Sequence, residues 1–78
     1  MIERGIAVAD VSLVLTNGEL IEEYPADSPP RILMLGWSGN RPIHVVIEPD
    51  PVADETTVVT AYEPDIRRWK LGFRERRR

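Results

Sequence analysis

The chain contains no cysteine, a single histidine and phenylalanine, and only two residues each of tryptophan and tyrosine. The missing cysteines exclude thiolate zinc sites, dithiol redox pairs and cysteine nucleophiles, and one histidine cannot build a two-histidine metal site. No metal and no cofactor is therefore expected. There is also no apolar run of roughly 18 residues and no basic-then-apolar leader, so the expectation is a cytoplasmic protein with no membrane partner. Length itself is scarce. A chain of 78 residues hides only roughly 60–65% of its extended surface, which barely offsets its ordering entropy. With no disulfide to help, a homo-oligomer or a partner that completes the core is expected.

Basic residues are scarce in most of the chain as well. Residues 1–66 hold three (Arg4, Arg31, Arg41) against twelve acids, a balance of −9, whereas residues 67–78 hold seven against Glu75 alone, a balance of +6. The net charge of −3 is thus an acidic body with a basic tail. Like charges crowded together gain from meeting a polyanion that releases counterions, which makes Arg67, Arg68, Lys70, Arg74 and Arg76, with Arg41, candidate nucleic-acid-binding residues. The competing reading is a terminus that folds back on its own acidic body.

Along the chain, Val8, Val11, Val14 and Leu15 recur at helical spacing within residues 7–16, and Asn17-Gly18 supplies a stop, predicting a helix of about three turns. The cap position lacks Ser, Thr or Asp, although Asp10 lies in the first turn. Short β-rich runs follow at residues 19–24, 31–37, 43–48 and 56–62, the start of the last falling at Thr56 or Thr57. A proline-rich loop spans 25–30, and Gly39-Asn40 centres a tight hairpin connection in which turn geometry also accounts for Gly36. Residues 49–55, with two prolines and three acids, read as a longer loop. Pro64, Ile66, Trp69 and Phe73 suggest one or two helical turns interrupted by Gly72. The fold class is α+β: one helix packed on an antiparallel meander of about four strands, then a short helical turn and the basic tail. Residues 1–66 form the domain, and residues 67–78 are a basic segment partly packed through Trp69 and Phe73.

In the third strand Ile43, Val45 and Ile47 share one face and look like core, while His44, Val46 and Glu48 share a half-solvated one. His44 can serve as general acid or base, or can be a half-buried histidine bonded to a neighbour. Ser38 lacks the glycine frame of a nucleophile elbow. Glu48, Asp50, Asp54 and Glu55 lack calcium-loop spacing and read as a solvated acidic loop. Trp37, Trp69 and Tyr62 can stack bases, but at least two of them are expected in the core.

Several phrases in order are more specific: Glu3-Arg4-Gly5-Ile6, Asn17-Gly18-Glu19, Ile21-Glu22-Glu23-Tyr24-Pro25, Leu35-Gly36, Arg41-Pro42-Ile43-His44-Val45-Val46, and Thr60-Ala61-Tyr62-Glu63-Pro64-Asp65 ahead of Trp69. Together they resemble the bacterial and archaeal family catalogued as domain of unknown function 4258. That family is grouped, at a distance, with the RelE-like and barnase-like ribonuclease folds of toxin–antitoxin systems and secreted toxins. The resemblance implies an endoribonuclease-type activity, if the chain is active, with His44, Tyr62 and Thr60 as candidate catalytic positions and Arg4 or Arg41 stabilising charge. It also implies RNA and an antitoxin or other protein as partners. Family members carry an upstream strand with a histidine and then an arginine, which the chain lacks before Glu3-Arg4-Gly5-Ile6. An attenuated activity, an unpaired sheet edge and pairing of such edges in a dimer are the resulting expectations. The alternative is a non-catalytic module that binds a protein through a sheet edge or the tail.

Overall fold

The structure is a computed structural model, and it describes residues 2–77. Helix α1 (Val8–Asn17) is followed by strands β1 (Glu19–Tyr24), β2 (Arg31–Ser38), β3 (Arg41–Asp50) and β4 (Glu55–Tyr62). The strands form one antiparallel sheet in the order β1-β2-β3-β4, the expected α+β meander. No helix among the described residues is long and apolar enough to cross a membrane.

Helix α1 starts without a capping side chain at Ala7, so Asp10 reaches back instead and accepts the Ala7 N–H at 2.9 Å. Its second oxygen takes the Ser38 hydroxyl at 2.7 Å, tying the helix start to the β2–β3 turn. These two bonds, the backbone one first, hold the Asp10 carboxyl below its ordinary range. Val11 and Val14 point at the sheet and join Ile6, Ile43, Val45, Ile47 and Ala61 in the main core. Gly36 belongs to this contact, not to the hairpin turn. A Cβ there would lie 2.7 Å from Val14 Cγ2 and 2.9 Å from Val14 Cα, so the glycine lets the helix lie close on β2. Gly39, with φ +65°, is the turn residue.

Strand β3 runs further than its prolines suggested. Pro42 lies before the His44–Tyr62 pair that ends the β4 ladder, and Pro49 lies past Ile47, the last β3 residue opposite β2. Each proline therefore sits where one neighbouring strand has already stopped, and its missing N–H leaves no ladder bond unmade. The N-terminal segment lies along β4, with Ile2 bridged in parallel to Ala61 and Glu3 N–H donating to the Ala61 carbonyl at 2.8 Å.

After β4 the expected helical turns at residues 64–73 are replaced by a small looped segment. The Asp65 carbonyl accepts from the N–H groups of Arg68 and Trp69, and the chain then reverses so that Trp69 pairs antiparallel with Arg76. Positive φ at Gly72 (+87°) and Phe73 (+59°) makes the reversal and rules out a continuing helix. Residues 64–77 lie across the sheet face opposite α1. Trp69 is buried there (3% exposed), alongside Leu33 and Leu35, as a second small core.

Candidate functional site

Register decides which side chains share the face beneath residues 64–77. One row across the sheet reads Glu19, Leu35, His44, Tyr62, and the next reads Glu22, Leu33, Val46, Thr60. Glu19 and Glu22 are three residues apart and in a regular strand would point to opposite faces. A bulge at Ile21, which has no partner on β2, brings both onto this one. Tyr24, two residues on, shares it.

His44 is fully buried, although its strand face was expected to be half-solvated, because residues 64–77 cover it. Its Nε2 lies 2.9 Å from the Phe73 carbonyl and its Nδ1 lies 3.3 Å from the Tyr62 hydroxyl. A carbonyl can only accept, so Nε2 carries the proton and the Nδ1 lone pair receives the Tyr62 O–H. The ring also meets Trp69 edge to face at 4.4 Å and Tyr62 at 5.4 Å. Burial pulls the His44 pKa below its ordinary value, and the Phe73 carbonyl works in the opposite direction. Burial pushes Tyr62 up. The Thr60 position, opposite Val46, is half-buried on the same face.

Beside this pair lies a polar group that sequence pattern alone did not single out. The Tyr24 hydroxyl donates to Glu22, and Arg76 donates to both Glu22 oxygens at 3.2 Å and to the Tyr24 oxygen at 3.3 Å. Burial and the Glu22 hydrogen bond raise the Tyr24 pKa. The Arg76 guanidinium lies 4.6 Å over the Trp69 ring, and Arg74 meets Glu19 at 2.5 Å. Glu22 and Tyr24 could be found only through the bulge, which has no glycine or proline to mark it.

The candidate basic residues separate into groups. Arg74 and Arg76 pair with the sheet, whereas Arg67 pairs with Asp65 and Lys70 lies 3.8 Å from Glu75, both within residues 64–77. Arg68 is exposed. Arg41 is not brought to the His44 face: it donates to the Gly5 carbonyl at 2.8 Å and to Glu63 at 3.2 Å, clasping the N-terminal segment to the end of β4. Arg78 lies outside the described residues. Asp50 is occupied locally, accepting the N–H groups of Val52 and Ala53.

The model of the family described as "Domain of unknown function (DUF4258)" matches residues 1–63. The chain belongs to this family. No match was found among curated proteins or among solved structures. The DUF4258 match covers α1 and all four strands and stops at Glu63, so residues 64–77, which cover His44, lie beyond it.

Proposed function

We propose that this DUF4258 chain acts on RNA, as an endoribonuclease of the RelE-like type, through the sheet face that carries His44 and Tyr62. The observation that carries the reading is the company these two residues keep: a proton acceptor, two phenols, a carboxylate and an arginine converge on one face. Cleavage by the ribose 2′-hydroxyl needs a base, an acid for the leaving oxygen and positive charge for the phosphorane. Neutral His44, with its Nδ1 lone pair turned to Tyr62, suits proton transfer, either directly or through the phenol. Glu22 is a second proton acceptor. Tyr24 and Thr60 suit hydrogen bonds to phosphate, and Arg76 supplies positive charge on this face in place of Arg4 or Arg41.

The test is incubation of the full chain with single-stranded RNA, scored for 2′,3′-cyclic phosphate ends. Cleavage that disappears in a folded His44→Gln variant is the expected result, and absence of such ends at every salt concentration tried overturns the reading.

A second reading, a non-catalytic module that binds a protein, is favoured by β1, which stands at the edge of the sheet. A strand added there by a partner would hold through backbone bonds and resist salt, whereas phosphate contacts weaken steeply with it.

A further inference from the structure

Residues 64–77 have the construction of a detachable part. Among the described residues, the backbone–backbone hydrogen bonds of this segment close on itself: Asp65 with Arg68 and Trp69, Arg68 with Arg77, Lys70 with Phe73 and Glu75. The Arg77 guanidinium adds another, to the Ile66 carbonyl at 2.7 Å. The segment can therefore leave the sheet as a unit without stranding its own backbone groups. What fastens it to the body is a short set of side-chain contacts. Trp69 sits against His44, the Phe73 ring meets Trp37 edge to face at 6.1 Å, and the Phe73 carbonyl accepts from His44. Two ion pairs close the outer edge, Arg74 with Glu19 and Arg76 with Glu22, the latter arginine also donating to Tyr24.

The two ion pairs are the accessible part of this fastening. The Arg76–Glu22 pair and Arg74 line an open groove of about 570 Å³, whose wall also carries Lys70, Arg77 and the carboxylate of Glu75. Spacing matches them to the body: arginines two apart on the segment meet carboxylates that the Ile21 bulge has turned to the same face. A phosphate entering this groove competes directly with Glu19 and Glu22 for the same guanidinium groups: it can match the two-point grip of Arg76 on Glu22 and improve on the single bond Arg74 makes to Glu19. Once both arginines have changed partner, Trp69, the edge contact of the Phe73 ring with Trp37 and one hydrogen bond to His44 are what still hold the segment down. Bases stacking on the freed Trp69 ring replace part of the contact it loses.

We propose that residues 64–77 are a strap over the His44–Tyr62 face, and that an RNA backbone releases it by taking Arg74 and Arg76 from Glu19 and Glu22. This rests on the RNA-directed reading above and adds its regulation: the chain is closed when alone and is opened by the polymer it acts on. The strap then serves as both cover and phosphate grip.

The experiment uses the full chain carrying Trp37→Phe, so that Trp69 is the sole tryptophan while an aromatic ring still faces Phe73. Unshifted Trp69 emission in the RNA-free variant, relative to the Trp69 component of the unsubstituted chain, shows that the strap stays closed in this background. It is titrated at low salt with a fluorescein-labelled oligouridylate, with binding read by anisotropy, strap position by Trp69 emission and His44 by its ring-proton NMR titration. Binding should shift Trp69 emission to longer wavelength and return His44 toward its ordinary value of 6.5. Arg74→Glu combined with Arg76→Glu, which sets like charges against Glu19 and Glu22, should produce both changes without RNA, with the sheet signal in circular dichroism retained. Saturated binding with both signals unmoved overturns the strap, as does failure of the oligouridylate to bind. Cleavage without strap movement sinks the strap and leaves the ribonuclease reading; strap movement without cleavage does the reverse.

Discussion

At His44 the hydrogen bonds and the burial favour the same protonation state. The neutral ring satisfies both the Phe73 carbonyl and the Tyr62 hydroxyl, whereas a charged ring would sit where no water reaches it. Its folded pKa therefore lies below the unfolded value near 6.5. Below that pH the unfolded chain binds a proton that the folded chain does not, so stability is complete above it and falls as pH drops toward the folded value. The slope from this one group is at most about 1.4 kcal/mol per pH unit. Urea titrations of a His44→Gln variant should lack that component while keeping the one from Asp10, whose lowered pKa acts at more acidic pH. Tyr24 and Tyr62, both raised, work at the opposite end, where stability falls as pH climbs past their ordinary value of 10.0. His44→Ala should cost more than the pH term. It removes the ring from between Trp69 and Tyr62 and leaves the Phe73 carbonyl unbonded, an expected loss of about 2–4 kcal/mol in the urea midpoint analysis.

Elements show most clearly what a sequence of this kind conveys. The alternation of Ile43, Val45 and Ile47, the turn at Gly39 and the stop at Gly18 carry local physical reasons, and the helix and four strands stand within a few residues of where those signals put them. The Ile21 bulge carries no such signal, because two consecutive apolar residues in an edge strand look the same with or without an unpaired position. That single irregularity hid Glu22 and Tyr24, and with them half of the polar face. The role of Gly36 is hidden for a related reason: its cause lies in a helix distant in sequence, not in its own turn. A test follows from that contact. In Gly36→Ala the new Cβ meets Val14 Cα, a backbone atom that moves only with the whole helix, so shortening Val14 alone cannot relieve the clash. A loss of about 1–3 kcal/mol is expected, which in a domain this small lowers the thermal midpoint by about 4–8 °C per kcal/mol. Scanning calorimetry of Gly36→Ala and of Gly36→Ala with Val14→Ala should show little recovery in the double variant.

On the scale of the whole molecule, the acidic body and basic tail read from the sequence are one structure, since the strap's arginines already hold anions of the protein's own. This changes how RNA binding should depend on salt. Four strap cations, Arg68, Arg74, Arg76 and Arg77, meeting single-stranded phosphates would give a slope of log K against log salt of about −3. Two of them, however, must first give up Glu19 and Glu22, and salt weakens those internal pairs along with the phosphate contacts. The two effects oppose each other, so the intact chain should show a shallower slope, about −1.5. Removing the internal competitors with Glu19→Gln and Glu22→Gln should tighten oligouridylate binding at low salt and steepen the slope toward the four-cation value. Fluorescence anisotropy between about 50 and 200 mM salt, the range over which phosphate contacts lose most affinity, resolves the difference. Equal slopes in the two proteins would mean that phosphates and carboxylates do not share these arginines. A binding partner insensitive to salt in both would instead point to the exposed edge of β1 as the surface in use.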